Sequence, residues 1–93
     1  MIKSFRDRDT ERLVNRERIR RLPLRLQRVA LRKLLILDAA ERLADLRQPP
    51  GNKVERLKGD RAGQYSIRLN DQWRICFRRR NGDANDVEIA DHH

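Results

Sequence analysis

The sequence has little of what holds small secreted or membrane proteins together. Cys76 is the only cysteine among 93 residues, so an internal disulfide is excluded, and a small buried residue in a reducing cytosol is the simplest expectation for it. There is no run of about eighteen apolar residues for a membrane span, no signal-peptide core, and no cysteine–histidine spacing for zinc. The sequence therefore predicts one cytoplasmic domain over residues 1–93, without membrane, metal or cofactor.

Lysine is also scarce, yet the chain is strongly basic. The lysines are Lys3, Lys33, Lys53 and Lys58, so arginine supplies most of the 23 basic residues, and the formal net charge is +9. Guanidinium groups suit paired contacts with phosphate and stacking on bases. This surplus favours a polyanionic partner, most often nucleic acid. A solvated basic surface, or a face that docks an acidic protein, would explain the same charge.

The first half of the chain has helical periodicity. Asp9 or Thr10 is predicted to cap a first helix, and residues 24–47 are predicted to form a long second helix. Its stripe has three- and four-residue spacing and comprises Leu26, Ala30, Leu34, Leu37 and Ala44. The apolar arc is wider than one sheet contact requires. Either the helix is buried on two sides, or part of the arc, with Leu31 and Leu35, is a partner surface.

The second half alternates with a period of two. Residues 64–70, 73–78 and 86–90 are predicted strands, with a weaker one before them, and residues 2–5 are expected to join the same sheet. A turn is predicted at residues 49–52, and Asn81-Gly82 is a strong type I′ hairpin signal. The pattern predicts an α+β domain whose antiparallel meander has one apolar face and one face that presents arginine to solvent.

Several motifs in order resemble the HigB-type toxins of bacterial type II toxin–antitoxin systems, within the RelE/ParE superfamily. The densest matches are LKGDR at residues 57–61 and QWRI at residues 72–75, with residues 1–5 and the terminal Asp91-His92-His93 at the two ends. The resemblance implies a microbial-RNase or RelE-like fold, with two N-terminal helices packed on one face of a small, mostly antiparallel twisted sheet.

The same resemblance implies a function and a set of partners. The implied activity is a ribosome-dependent mRNA endoribonuclease that works without metal, through attack of the 2′-hydroxyl on the adjacent 3′ phosphate. The implied partners are a cognate HigA-like helix-turn-helix antitoxin, the 70S ribosome and mRNA. Operator DNA would be contacted only through the antitoxin, and growth would stop when the toxin is free.

The resemblance also assigns catalytic residues. Arg74 matches the family's phosphate-binding arginine, and Lys58 matches a basic residue near the same phosphate. Asp91 and His93 match the C-terminal carboxylate and histidine. Such cleavage needs a proton acceptor, a proton donor and positive charge, and histidine can accept or donate near neutral pH. The two terminal histidines could equally be an unstructured tail or the remnant of a tag.

Two positions depart from the family pattern. Glu55 stands where some members carry histidine, so it is either a substitute base or a strand-surface carboxylate. His92 stands where tyrosine is common, which puts the strength and preference of cleavage in question. Further RNA contacts are predicted at Arg61, Arg68, Arg78 and Lys53. Residues 60–61 are also expected to form a turn that positions the next strand.

Two other functions fit the same fold. A ParE-like relative would inhibit DNA gyrase without the RNA-cutting residues, and Arg74 with the terminal Asp91-His92-His93 argues against it. A noncatalytic module that binds RNA is the second alternative. Rapid loss of mRNA after induction, as opposed to gyrase-linked DNA damage, would distinguish the nuclease from the gyrase inhibitor.

Overall fold

A computed structural model describes residues 1–47 and 50–91. The elements, in chain order, are α1 (Arg8–Val14), α2 (Leu24–Ala39), β1 (Glu55–Arg56), β2 (Gln64–Arg68), β3 (Trp73–Arg80) and β4 (Asp83–Asp91). Short 3-10 helices cover Leu43–Arg47, Pro50–Asn52 and Gly59–Arg61. The strands form one antiparallel sheet in the order β1-β2-β3-β4. The predicted α+β class is confirmed. Across the described ranges, no helix is both long and apolar enough to cross a bilayer.

The core lies between α2 and one face of the sheet. Within α2 the predicted stripe is buried, with Ala30 and Leu34 wholly inaccessible to solvent, whereas Ala44 lies beyond the helix and is exposed. They belong to one apolar cluster with side chains of all three long strands, among them Ile67, Phe77 and Val87. Helical spacing on α2 and alternation on the strands therefore direct their apolar residues to the same layer.

Helix α1 begins two residues earlier than the sequence indicates. Asp7 is the N-cap, because its backbone is extended and its carboxylate accepts the Thr10 N–H at 3.2 Å. The prediction of Asp9 or Thr10 as the cap is wrong. The Thr10 hydroxyl donates to Asp7 at 2.6 Å and accepts the Ile89 N–H at 3.0 Å, so it joins the helix to β4. This buried contact removes Thr10 from any capping role.

Helix α2 ends at Ala39, so the predicted helix over residues 24–47 is too long. Ala40 has an extended backbone, and the Asp45 carboxylate accepts the N–H groups of Glu41 and Arg42, each at 3.1 Å. These hydrogen bonds lower the pKa of Asp45 and start the 3-10 helix Leu43–Arg47. The predicted apolar stripe thus belongs to two elements: Ala44 is in the 3-10 helix, and the other residues of the stripe are in α2. Leu46, in the same 3-10 helix, is buried.

The N-terminal segment pairs with β4, as predicted, but in parallel through isolated bridges at Ile2 and Phe5. The Arg6 N–H donates to the Val87 carbonyl at 2.9 Å. This hydrogen bond places Arg6 beside β4, at the edge of the sheet. The hairpin signal is confirmed, since Asn81 and Gly82 both have positive φ, 54° and 83°. Of the predicted turn at residues 49–52, Pro49 lies outside the described residues.

The second face of the sheet is less open than its alternating arginines predict. Gln64, Ser66, Cys76 and Arg74 on this face are buried, and Arg74 is only 8% exposed. The expectation that this face simply presents arginine to solvent is wrong at Arg74. Arg74 contacts Ser66 on β2 and Glu55 on β1, and the segment that follows β1 supplies side chains to the same face. A groove results where the sequence indicates an exposed surface.

Candidate active site

A groove of about 280 Å³ opens on the second face of the sheet. We call it the basic groove, and its lining is Leu57, Lys58, Arg61, Arg74, Cys76, Ala90 and Asp91. One wall comes from the turn after β1 and the floor from β3 and β4. The turn depends on two glycines with positive φ, Gly59 at 67° and Gly63 at 89°. They allow Lys58 and Arg61 to face the strands across the groove.

A row of side chains crosses four strands beneath this groove. Glu55 on β1 pairs with Ser66 on β2, Ser66 with Cys76 on β3, and Cys76 with Glu88 on β4. Carboxylates therefore occupy the two ends of the row, and each pairs with guanidinium groups. One arginine pairs with Glu55 and two pair with Glu88, on either side of the buried thiol.

Arg74 is held at the Glu55 end. Its guanidinium donates to the Ser66 hydroxyl at 2.8 Å and lies 3.5 Å from a Glu55 carboxylate oxygen. The Arg74 side chain is 10% exposed, whereas that of Glu55 is 53% exposed. The buried hydroxyl contact orients the guanidinium, and the solvated ion pair contributes little. Arg74 is thus a preorganised cation at the wall of the basic groove.

Arg61 is held at the Glu88 end, together with Arg6. One Glu88 oxygen lies 3.3 Å from Arg61 and 3.2 Å from Arg6, and Arg61 also donates to the Gln64 amide oxygen at 3.2 Å. Two guanidiniums on one carboxylate leave a net charge of +1 in this cluster. Sequence analysis assigned no role to Arg6. The alternation of acidic Glu88 with apolar residues in β4 was the one available signal for a partner on this face.

Cys76 forms part of the groove floor but is not a reactive thiol. It is 3% exposed. Burial raises the pKa of the Cys76 thiol, and the opposite effect of nearby Arg61 is smaller. The thiol is therefore neutral near pH 7, which agrees with its expected role as a small buried residue.

Asp91 contributes a carboxylate to the lining of the basic groove. Asp91 is the last residue of β4 and accepts the Gln72 side-chain amide at 3.3 Å. It lines the groove together with Arg74 and Lys58. The predicted catalytic residues His92 and His93 lie outside the described residues. Of the six predicted catalytic residues, the structure thus brings three into the lining and places Glu55 against Arg74.

The predicted RNA contacts fall into two groups. Arg61 lines the basic groove, whereas Arg68, Arg78 and Lys53 lie outside its lining. Arg68 pairs with Asp71, and its carbonyl accepts the Lys33 ammonium at 2.7 Å. The Arg78 guanidinium approaches the Ala62 carbonyl at 3.5 Å and Asp86 at 3.9 Å. Lys53 is exposed in the connection before β1.

Comparison with known proteins agrees with this geometry. Residues 3–93 match the model of a family described as the RelE-like toxin of the type II toxin–antitoxin system HigB. The chain belongs to the HigB family of RelE-like toxins. It is 39% identical over 93 residues to Toxin HigB-1 of Vibrio cholerae, covering 99% of this chain and 98% of that protein. It is 38% identical over 61 residues to Endoribonuclease HigB of Proteus vulgaris, covering 66% of this chain and 65% of that one. The family resemblance seen in the sequence is confirmed.

Proposed function

We propose that this HigB-family toxin is an endoribonuclease that cuts mRNA in the translating ribosome. The observation that supports this most is the basic groove, where buried Arg74 lies with Lys58 and Asp91 at the end of the last strand. The Proteus relative, which carries the name endoribonuclease, supports the same activity. The groove is a cleft with convergent polar groups, as expected of a site for phosphate chemistry.

The proposed reaction breaks one P–O bond as another forms. The ribose 2′-oxygen loses its proton and attacks the adjacent phosphorus, and the bond from phosphorus to the 5′-oxygen breaks. The products are a 2′,3′-cyclic phosphate and a 5′-hydroxyl end. Arg74 and Lys58 stabilise the extra negative charge on the phosphorane. Arg74 suits this task because Ser66 already holds its guanidinium, so little reorganisation is needed at the moment of reaction.

The two proton transfers fall to groups near the end of β4. We assign them to Asp91 and His93, with His92 as a weaker substitute for the family's tyrosine. Glu55 is the alternative base. Its contact with Arg74 at 3.5 Å favours a second role, in which it helps to orient that guanidinium. If Glu55 serves only to position Arg74, Asp91 remains as a proton acceptor.

The toxin's partners follow from the type II system. A type II toxin implies an antitoxin, and we propose a HigA-like helix-turn-helix protein that also makes the only contact with operator DNA. Of the two leucines predicted as a partner surface, Leu35 on α2 is 40% exposed and Leu31 is half-buried against the core, so we propose Leu35 as an apolar contact for the antitoxin. The 70S ribosome and mRNA are the proposed targets in the cytoplasm. Arg68, Arg78 and Lys53, outside the groove, would contact RNA through its phosphates.

End mapping on a defined message tests this function. The purified toxin is added to the message with and without ribosomes. The 5′ ends of the cleaved RNA are then mapped by a method that distinguishes 5′-hydroxyl from 5′-phosphate ends. Lys58→Ala is compared with Lys3→Ala, because both lysines are exposed but only Lys58 lines the groove. We expect 5′-hydroxyl ends that require ribosomes and that Lys58→Ala reduces. Ends that bear 5′-phosphate, or equal activity of the two variants, would contradict the mechanism.

A further inference from the structure

A second groove, separate from the basic groove, lies between the start of α2 and the β2–β3 turn. We call it the Trp73 groove. It has a volume of about 550 Å³ and walls that are largely apolar: Pro23, Leu26, Val29, Leu69 and Trp73. Arg25 also lines it, and the Arg21 guanidinium lies 5.8 Å from the centre of the Trp73 ring. The volume is larger than a single nucleobase and leaves room for its ribose as well.

The Trp73 groove and the basic groove lie on opposite faces of the sheet, because Trp73 and Arg74 are consecutive residues of β3. They are adjacent at one end of the sheet. There Gln72, which lines the Trp73 groove, donates its side-chain amide to Asp91, which lines the basic groove, at 3.3 Å. An RNA strand whose phosphate lies at Arg74 would reach the Trp73 groove by passing around this end of the sheet.

The charge at the mouth fits that same strand. Arg21 is already paired with Asp7 at 3.0 Å and with Asp9 at 3.5 Å. Arg25 is exposed at the start of α2, where it can meet a phosphate. An apolar slot with an aromatic wall and an arginine at its mouth is the arrangement that binds an unpaired base together with its phosphate.

We propose that the Trp73 groove binds an unpaired nucleobase of the RNA that occupies the basic groove. The apolar walls and the Trp73 ring contact the base, and Arg25 contacts its phosphate. The proposal rests on the proposed function for its ligand class, RNA, but not for the cleavage step. The Trp73 groove would thus contact a base of the RNA, whereas the basic groove would contact the phosphate and the ribose.

The chain has one tryptophan, so emission from Trp73 reports on this groove directly. The probe is a short single-stranded RNA with 2′-O-methyl groups, which removes the nucleophile and prevents cleavage. Matched strands lack one base at successive positions. We expect the complete strand to quench Trp73 emission at low salt, and one abasic position to remove the quench and weaken binding about 10-fold. If every abasic strand binds and quenches like the complete strand, the proposal is overturned.

Variants test the groove without touching the basic groove. Arg25→Glu is compared with Arg32→Glu, the same charge change on an exposed residue two turns further along α2. We expect Arg25→Glu to weaken strand binding several-fold more than Arg32→Glu. Val29→Glu, which places a carboxylate in the wall, should weaken binding further. Equal binding by the two arginine variants would overturn the proposal. A Val29→Glu protein that loses the antitoxin but keeps the strand would do so as well, since the occupant would then be protein.

Cleavage assays keep this inference distinct from the nuclease function. If ribosome-bound messages stay uncut while the complete strand still quenches Trp73, the nuclease assignment fails and the base site stands. If messages are cut by wild type and Arg25→Glu alike at the same positions and rates, and the quench is absent, the nuclease stands and the base site fails.

Discussion

Replacing Arg74 with alanine separates the stability of the basic groove from its proposed chemistry. The Arg74 guanidinium donates to the Ser66 hydroxyl at 2.8 Å and lies 3.5 Å from Glu55. Position within an alternating strand suggests an exposed side chain whose loss would cost little. The side chain is in fact 10% exposed. The substitution therefore affects both folding and activity, and each effect needs its own measurement.

The stability term follows from the buried contact. Arg74→Ala leaves the buried Ser66 hydroxyl without this partner, which costs about 1–3 kcal/mol of unfolding free energy. The pair with Glu55 adds little, because that carboxylate is 53% exposed. The activity term is larger. Losing one preorganised cation at a developing oxyanion typically lowers the rate about 10²–10³-fold. Ser66→Ala removes the same hydrogen bond but keeps the cation. It leaves a buried charged donor unsatisfied, so we expect a loss of about 1–3 kcal/mol of unfolding free energy, but a loss of cleavage rate of only roughly 10-fold, because the positive charge at the oxyanion remains.

Urea unfolding measures the loss of stability, and single-turnover cleavage on purified ribosomes measures the loss of activity. The matched control is Arg80→Ala, an exposed position on the same strand but outside the basic groove. We expect the order of cleavage rates to be wild type and Arg80→Ala, then Ser66→Ala, then Arg74→Ala. An Arg74→Ala protein that is folded and cuts as fast as Arg80→Ala would refute the role of Arg74 at the phosphate. A Ser66→Ala loss as large as that of Arg74→Ala would show that orientation, and not charge, dominates.

Further predictions concern the terminus, the antitoxin, the hairpin and the substrate. Deleting His92 and His93 should lower single-turnover cleavage about 10²–10⁴-fold, yet leave sedimentation with ribosomes nearly unchanged. Leu35→Glu, at an exposed position, should weaken the antitoxin complex in titration calorimetry, and unchanged affinity would place the interface elsewhere. Gly82→Ala should cost about 1–2 kcal/mol in urea unfolding, since φ is 83° there and the added methyl group has room. Purified RNA without ribosomes should be cut poorly, and efficient cleavage in gel assays would contradict this.

The sheet was predictable because strand alternation and turn chemistry agree. Alternating apolar residues locate β2, β3 and β4, and Asn81-Gly82 sets the hairpin between the last two. The length of α2 was not predictable from periodicity. Leu43 and Leu46 continue the helical spacing, but the Asp45 carboxylate caps a new 3-10 helix after Ala40. A short polar side chain that bonds nearby backbone N–H groups overrides the apolar pattern there.

The charged residues that line the basic groove were predictable from the sequence, but their burial and contacts were not. Motif similarity identified Arg74, Lys58 and Asp91, which the structure brings into one lining. Arg74 contacts Ser66 and Glu55, which are 8 and 19 positions away in the sequence, and alternation along one strand does not contain such contacts. The contact of Arg6 with Glu88 joins residues 82 positions apart, so sequence spacing gave no sign of it.

The distribution of charge gives a physical reason to propose that the ribosome orients the message. Among the described side chains that line the basic groove or belong to the ion pairs of its lining arginines, with Arg6 included through its pair with Glu88, the cations are Lys58, Arg61, Arg74 and Arg6, and the carboxylates are Glu55, Glu88 and Asp91. Four positive and three negative charges leave +1, whereas the whole chain carries +9. Most of the attraction for RNA therefore arises outside the groove. Glu55 and Glu88 hold Arg74 and Arg61 in place, but the carboxylates weaken the attraction of these cations for a free RNA strand. The cleavage rate of such an enzyme rises most when a second particle, here the ribosome, holds the scissile phosphate in position. This orientation compensates for the weak attraction between the groove and RNA.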